Sequence, residues 1–195
     1  MNWMKKVAVA LVCLLPLGLQ AAKVDTLQVK SPSMNKSIEV VVVSPDVAAT
    51  KACPVIYLLH GYGGNARTWV GIKPDLSKIA DEKGIFFVCP DGKNTWYWDS
   101  PLNADVRYET FISDELVKYV DSHYKTVADR KGRAITGLSM GGHGAMWNGL
   151  RHSDVFSAAG STSGGVDIRP FPKNWEMSVQ IGEKAKYPEN WEKYT

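Results

Sequence analysis

One short stretch constrains the fold of this chain more than any other. It reads RAITGLSMGGHGAMW and runs from Arg133 to Trp147. The apolar run RAITGL is typical of a strand, Ser139 follows it, and a helix-forming run begins directly after the serine. Glycines stand two residues before and two residues after Ser139, which indicates a backbone bent so tightly that side chains would collide there. The stretch therefore predicts a strand, a sharp turn with Ser139 at its tip, and a helix.

Strand and helix patterns alternate along the rest of the chain. DTLQVKS and SIEVVVVSP predict two strands joined by a polar turn, and PVIYLLHG and IFFVCPDG are the continuous apolar runs of strands buried on both faces. Helices are predicted over KPDLSKIADEKG, which Gly84 ends, and over RYETFISDELVKYVDSHY. FSAAGSTSG predicts one more strand. Such a βαβ series gives an α/β fold whose mostly parallel sheet carries helices on both faces.

Size and charge limit the function classes. The 195 residues fit one domain, and 45% apolar with 22% charged residues is a globular balance rather than a disordered one. The formal net charge is +3, with no basic stripe and no acidic run. A nucleic-acid partner is therefore not expected.

The first 22 residues have the order of a signal peptide. MNWMKK supplies a positive region, VAVALVCLLPL a short apolar core, and GLQAA a small-residue end. A transmembrane anchor would need about 20 apolar residues, and this run is shorter and contains Pro16. Cys13 lacks the preceding small residues of a lipoprotein signal. We expect cleavage after Ala21 or Ala22, a secreted or periplasmic location, no stable membrane anchor, and a mature domain over 23–195.

The two remaining cysteines are not expected to form a disulfide. Cys53 opens one predicted strand and Cys89 closes the next, so their sulfurs should lie at opposite ends of a parallel pair. At about 3.3 Å per residue, that separation exceeds the roughly 7 Å limit between the Cα atoms of a bridge. Both cysteines are interpreted as small buried apolar residues.

The serine at the predicted turn is interpreted as a nucleophile. Gly137-Leu138-Ser139-Met140-Gly141 is G-x-S-x-G between a strand and a helix, the setting of the nucleophile elbow in α/β-hydrolases. The helix N-terminus behind the serine favours developing negative charge. The alternative is a purely structural glycine turn, because glycine-flanked serines are common in turns. The position within a βα series favours the nucleophile.

A second glycine cluster, HGYGG from His60 to Gly64, follows the third predicted strand. Acyl transfer needs backbone N–H groups aimed at an oxyanion, and in this fold one comes from that loop and one from the residue after the serine. The amides of Tyr62 and Met140 are the candidates, with a plain glycine turn as the alternative. Neither a phosphate-loop pattern nor a zinc spacing is present in the sequence. No metal or organic cofactor is expected.

Four motifs in order, LLHGYGG, PDGKNTWYWDSP, YETFISDEL and ITGLSMGGHGA, resemble the esterase branch of the α/β-hydrolases. That branch includes S-formylglutathione hydrolase (esterase D), tributyrin, feruloyl and acetylxylan esterases, and mycolyltransferases. The resemblance runs from the second strand to about Gly165. It implies that Ser139 is the nucleophile, that Tyr62 and Met140 supply the oxyanion amides, and that His143 is structural.

Aromatic residues follow the carboxyl end of another predicted strand, where ligands bind in open α/β sheets. Trp96, Tyr97 and Trp98 are therefore candidate walls of a substrate pocket. Packing in the core or under a lid is the alternative, since aromatic side chains bury much surface.

The base and the acid of a catalytic triad do not fit the expected chain order, which is serine, then acid, then histidine. His143 and His152 fall on the helix that starts at the turn, and His60 and His123 precede the serine. His60 is expected to brace the oxyanion loop. Asp154 and Asp167 come too early to be the acid. The tail FPKNWEMSVQIGEKAKYPENWEKYT, residues 171–195, resembles a helical insertion, so we expect a fragment whose C-terminal strands, acid and histidine lie beyond Thr195.

Three functions remain open from the sequence. The first is a secreted serine carboxylesterase acting on short-chain or carbohydrate-linked esters through an acyl-enzyme on Ser139. The second is an acyltransferase that passes the acyl group to a sugar or another alcohol. The third is a ligand-binding member without a complete triad. The intact serine and oxyanion glycines favour the first two.

Overall fold

The structure is a computed structural model that describes residues 22–195. The predicted leader, with Cys13 and most of its cleavage region, lies outside the described residues. Within the described part, no helix is both long and apolar enough to cross a bilayer.

Six strands form one sheet in the order β1-β2-β4-β3-β5-β6. Their bounds are Lys23–Ser31 (β1), Lys36–Ser44 (β2), Val55–Leu59 (β3), Phe86–Pro90 (β4), Arg133–Leu138 (β5) and Ala158–Thr162 (β6). β2 is antiparallel to β1 and to β4, whereas β4, β3, β5 and β6 run parallel to one another. The mostly parallel sheet predicted from the apolar runs is confirmed.

The helices cover both faces of the sheet. They are Thr68–Ile72 (α1), Leu76–Lys83 (α2), Tyr108–Thr110 (α3), Leu116–His123 (α4), Met140–Arg151 (α5), Met177–Ile181 (α6) and Pro188–Lys193 (α7), with a π-helical turn, Phe111–Glu115, that joins α3 to α4. Short 3₁₀ turns lie at Asp46–Ala49 and Arg130–Gly132. Gly84 ends α2 in the left-handed conformation, as the sequence predicted.

Two cores follow from the alternation of side chains along the strands. Val40 and Val42 of β2 pack in one core with residues of α4 and α5, and Val41 and Val43 pack in the other with Leu76 of α2. Cys53 and Cys89 belong to different cores and are both free, so the prediction of no bridge between them is confirmed.

The tail that was predicted as a helical insertion, residues 171–195, is helical only in the short α6 and α7. Residues 163–176, which precede α6, contain turns and bends. We call residues 165–177 the strap, because this segment runs over the carboxyl ends of the strands beside Ser139. Phe171, Pro170 and Pro172 lie within it, and the proline rings disfavour a continuous helix.

Candidate active site

Ser139 lies at the tip of the turn between β5 and α5. Its backbone has φ 55° and ψ −118°, a strained conformation for a residue with a side chain. The flanking glycines are required by close approach: a Cβ on Gly137 would overlap the carbonyl oxygen of Gly141, and a Cβ on Gly141 would overlap that of Leu59. The predicted strand, turn and helix are therefore confirmed, and the G-x-S-x-G pattern follows from steric limits.

The backbone of Ser139 is fixed while its hydroxyl is free. The Ser139 N–H donates to the carbonyl oxygen of Thr162 at 2.8 Å, and its own carbonyl oxygen accepts from the N–H of His143 at 3.0 Å. The side chain is exposed, and across residues 22–195 its hydroxyl makes no hydrogen bond. A hydroxyl held in place without a partner can approach a ligand.

The two candidate oxyanion residues, Tyr62 and Met140, line the same cavity beside Ser139. The N–H groups of Tyr62 and Met140 have no acceptor within the described chain. Met140 is the first residue of the twelve-residue α5, so its amide adds to the positive end of the helix dipole. The loop of Tyr62 packs directly on the turn, since a Cβ on Gly61 would lie 3.5 Å from the Cβ of Ser139.

His60 braces the loop that carries Tyr62. Its Nδ1 lies 2.7 Å from the carbonyl oxygen of Gly61, and its Nε2 accepts from the N–H of Gly92 at 2.9 Å. Its own carbonyl oxygen accepts from the Tyr97 hydroxyl at 3.0 Å. This pattern requires the proton on Nδ1, so both ring nitrogens of the buried imidazole are used for structure.

A cavity of about 400 Å³ opens over Ser139. Tyr62, Ser139 and Met140 line one side of it. The strap supplies the opposite side, with Gly165, Asp167, Ile168, Phe171, Trp175 and Met177, and Trp96, Ser163 and Gly164 complete the lining. The lining is mostly apolar apart from the hydroxyls of Ser139, Ser163 and Tyr62, the backbone amides and Asp167.

Of the three predicted wall residues, the structure places only Trp96 on the cavity. Tyr97 is fully buried and donates its hydroxyl to His60, and Trp98 is fully buried and donates its indole N–H to Nε2 of His143 at 2.9 Å. The alternative of core packing therefore describes Tyr97 and Trp98. Trp96 and Tyr97 both have positive φ, 59° and 60°, a left-handed conformation that is uncommon for residues with large side chains.

The residues that the sequence reasoning missed are on the strap. Ile168, Phe171, Trp175 and Met177 line the cavity, although Ile168 was given no role and the tail from Phe171 onward was predicted only as a helical insertion. Phe171 and Trp175 are 42% and 46% exposed, with their ring centroids 5.5 Å apart. Two large aromatic residues in a proline-containing segment were the signal that could have identified them.

His143 is buried beside the site and is not bonded to the serine hydroxyl. Its Nε2 accepts from Trp98, and its Nδ1 lies 2.6 Å from the carbonyl oxygen of Gly165. Burial lowers the pKa of His143 to about 4, and the hydrogen bond to Gly165 only partly opposes this. The imidazole is therefore neutral near pH 7 and links α5 to the start of the strap.

The other two histidines lie elsewhere. His152, at the far end of α5, contacts Glu109 at 2.9 Å, and His123 stacks on Tyr119 at the end of α4. Asp154 follows α5 and does not line the cavity, whereas Asp167 does so while paired with Arg169 at 2.9 Å. That pairing lowers the pKa of Asp167. No histidine–acid pair meets Ser139 within residues 22–195.

Metal ligation finds no support in the described chain. Over residues 22–195, no three side chains of His, Cys, Asp or Glu converge closely enough to hold an ion. The polar groups at the cavity are the hydroxyls of Ser139, Ser163 and Tyr62, backbone amides and one carboxylate paired with an arginine.

Comparison with known proteins shows the family to which the chain belongs. A family model described as "Putative esterase" matches residues 31–194. The chain is 31% identical over 149 residues to Esterase Rv1288 of Mycobacterium tuberculosis, and 32% identical over 158 residues to diacylglycerol acyltransferase/mycolyltransferase Ag85A of Mycobacterium leprae. A solved ferulic acid esterase superposes with a TM-score of 0.71 at 30% identity, covering 89% of this chain and 71% of that one.

The matches cover most of this chain but less of its relatives. The match to the Mycobacterium tuberculosis protein covers 73% of this chain and 32% of that protein. The match to the Mycobacterium leprae protein covers 74% of this chain and 44% of that protein. The chain thus spans about a third to a half of the length of the curated relatives it matches.

Proposed function

Since the chain belongs to the esterase family, we propose that it carries the nucleophile and oxyanion hole of a serine carboxylesterase. One observation carries the proposal: the exposed Ser139 hydroxyl lies on a strained turn and lines a cavity together with Tyr62 and Met140, whose backbone amides have no acceptor within residues 22–195. Strain at a position that the surroundings fix is typical of functional sites. A turn with a purely structural role would not need an unpartnered hydroxyl facing a cavity.

In the proposed reaction, the Ser139 oxygen attacks the carbonyl carbon of an ester. The amides of Tyr62 and Met140 donate to the oxyanion of the tetrahedral intermediate. Collapse of the intermediate breaks the bond to the alcohol, which leaves with a proton and gives an acyl-serine. Water then attacks the acyl-serine, releases the acid and returns the proton to the Ser139 oxygen.

The proposal takes the general base and its acid from outside the described residues. Trp98 and Gly165 occupy both nitrogens of His143, and Gly61 and Gly92 occupy those of His60. His152 follows Ser139 by thirteen residues along α5, so at about 1.5 Å per residue it lies roughly 20 Å away. None of these side chains is positioned to take the proton of Ser139.

The cavity favours an ester with an apolar or aromatic acyl group. Ile168, Met177 and the rings of Trp96, Phe171 and Trp175 give it apolar walls, and its volume of about 400 Å³ suits a small acyl chain. Short-chain and carbohydrate-linked esters are the proposed substrate class. The similarity to a ferulic acid esterase supports this choice.

An acyltransferase is the second candidate. The same acyl-serine can be attacked by the hydroxyl of a sugar or another alcohol instead of water. The similarity to a mycolyltransferase supports this candidate, and the exposed rim of the cavity leaves room for an acceptor.

Hydrolysis and transfer are separated by one assay of the full-length protein. Release of p-nitrophenol from acetyl, butyryl and feruloyl esters is followed with and without glucose or glycerol as acceptor. We expect Ser139-dependent release with free acid as the main product. Acyl-glucose or acyl-glycerol as the main product would favour the transferase. Binding of the esters without turnover would favour the ligand-binding alternative.

Export is part of the proposal, based on the order of charged, apolar and small residues in 1–22. The protein should be recovered from the periplasm or the medium with an N-terminus near Ala22 or Lys23. A product that starts at Met1 and stays in the cytoplasm would contradict export without affecting the esterase proposal.

A further inference from the structure

The peptide that follows the candidate oxyanion residue is held by a side chain from a distant loop. The N–H of Gly63 donates to Oδ1 of Asn94 at 2.9 Å. Gly63 has φ +76°, so its conformation is one that side chains rarely adopt. Because Tyr62 and Gly63 share a peptide bond, this hydrogen bond limits rotation of the backbone that orients the Tyr62 amide.

Asn94 also contacts the strap. Its Nδ2 lies 3.4 Å from Oε2 of Glu176, at the long end of the hydrogen-bonding range. Glu176 lies beside the phenol of Tyr62 and, mainly through a hydrogen bond, raises the pKa of that phenol. The Glu176 carboxylate on the strap therefore lies beside both the phenol of Tyr62 and the side-chain amide of Asn94, which accepts from the Gly63 N–H.

The strap is strained and anchored at this point. Trp175 and Glu176 have φ 48° and 54°, so two consecutive non-glycine residues are left-handed. The indole N–H of Trp96 donates to the carbonyl oxygen of Trp175 at 3.1 Å. Such strain persists only where surrounding contacts fix it, and it is common at sites of function.

We propose that Asn94 is a positioning residue that couples the strap to the oxyanion loop. Its Oδ1 sets the Gly63 peptide and thereby the direction of the Tyr62 N–H, and its Nδ2 links that setting to Glu176. An acyl group that packs on Trp175 then presses on the segment that holds the oxyanion donor. The inference deepens the proposed function and rests on it for its kinetic part.

The kinetic test uses the full-length protein with p-nitrophenyl butyrate. Asn94→Ala is expected to lower kcat about 10- to 30-fold with KM within about threefold. The reason is that a misplaced Tyr62 N–H would weaken its hydrogen bond to the oxyanion, which forms mainly in the transition state. The matched control is Asn103→Ala, since Oδ1 of Asn103 also accepts a backbone N–H, from Asp105 at 2.9 Å, away from the cavity. We expect this control to stay within twofold of wild type.

A swap variant separates positioning from simple loss of structure. Asn94→Asp keeps an acceptor for Gly63 but places a second carboxylate against Glu176, so kcat should fall. Adding Glu176→Gln restores the pair with its direction reversed, because the glutamine amide can then donate to the carboxylate introduced at position 94. The double variant should return to within about threefold of the wild-type kcat. A double variant as slow as Asn94→Ala would overturn the coupling to the strap.

Amide exchange tests the positioning role without activity. Exchange of the Gly63 N–H, followed by NMR, should be at least tenfold faster in Asn94→Ala and unchanged in Asn103→Ala. Unchanged Gly63 exchange in a folded Asn94→Ala protein would overturn the inference. Wild-type protein without ester hydrolysis would instead contradict the proposed function, and the exchange result would still decide whether Asn94 positions the loop.

Discussion

Ser139 and His143 lie one helical turn apart, yet their polar side chains are in opposite states. The Ser139 hydroxyl is exposed and makes no hydrogen bond within residues 22–195, whereas both ring nitrogens of the buried His143 are bonded. The difference separates a group that is free to react from a group that holds the site together. A histidine next to a candidate nucleophile is therefore not necessarily its base.

The largest expected effect comes from removing the hydroxyl of Ser139, the reactive group in this comparison. Ser139→Ala should lower ester turnover by 10³-fold or more, since loss of a serine nucleophile can cost on the order of 10⁶ in kcat. The measurement is kcat for p-nitrophenyl butyrate in the full-length protein, with Ser153→Ala as the control at an exposed serine beyond α5. Turnover of Ser139→Ala within tenfold of wild type would place the chemistry elsewhere.

The second effect tests the sterics of the turn. Gly141→Ala adds a methyl group that overlaps the carbonyl oxygen of Leu59 and lies 2.6 Å from that of His60. It should lower the free energy of unfolding by about 3 kcal/mol. Gly71→Ala is the control, because Gly71 lies in α1 and a Cβ there would have no heavy atom within 4 Å. This variant should raise the free energy of unfolding by up to about 1 kcal/mol. Urea unfolding measures the change in both variants. Equal changes in Gly141→Ala and Gly71→Ala would contradict the steric explanation of the turn.

A third effect sharpens the structural role of His143. Its pKa is about 4 in the folded protein and about 6.5 when unfolded, so the unfolded state takes up the proton first as pH falls. The free energy of unfolding should therefore drop by about 2 kcal/mol between pH 7.5 and pH 5 on account of His143.

The difference between wild type and His143→Gln isolates this effect, because glutamine can accept from Trp98 and donate to Gly165 without titrating near pH 5. Urea unfolding at both pH values should show a smaller drop for His143→Gln, while exposed His123→Gln should behave as wild type does. An equal drop in wild type and His143→Gln would argue against a buried neutral imidazole.

The smallest expected effect concerns His152. Its ring is bonded to Glu109 at the far end of α5, so His152→Gln should change kcat less than twofold. The variant is assayed with p-nitrophenyl butyrate, as before, and its melting temperature is compared with that of wild type. A 100-fold loss of kcat without loss of stability would make His152 a base after all.

The sequence predicted the turn at Ser139 and the sheet well because both depend on local sterics and on the period of apolar residues. Gly137, Gly141 and the run PVIYLLHG are each interpretable without knowing what packs on them. The cavity walls depend on contacts across the chain. Phe171 and Trp175 reach the site from more than 30 residues after Ser139, and no local pattern gives their direction.

The burial of Tyr97 and Trp98 could not be predicted for a related reason. An aromatic triplet after a strand suits a pocket wall and a core equally well. Hydrogen-bond partners far along the chain determine that these two residues are buried, since Tyr97 bonds to His60 and Trp98 to His143. Trp96 alone turned toward the cavity.

Covalent labelling tests the central claim most directly. The full-length protein is treated with a fluorophosphonate ester probe, digested, and mapped by mass spectrometry. The account predicts a single label on the peptide that contains Ser139, and no label in Ser139→Ala, because the exposed Ser139 hydroxyl lies on the strained turn beside the proposed oxyanion residues Tyr62 and Met140. Label on another serine, or undiminished label in Ser139→Ala, would contradict it.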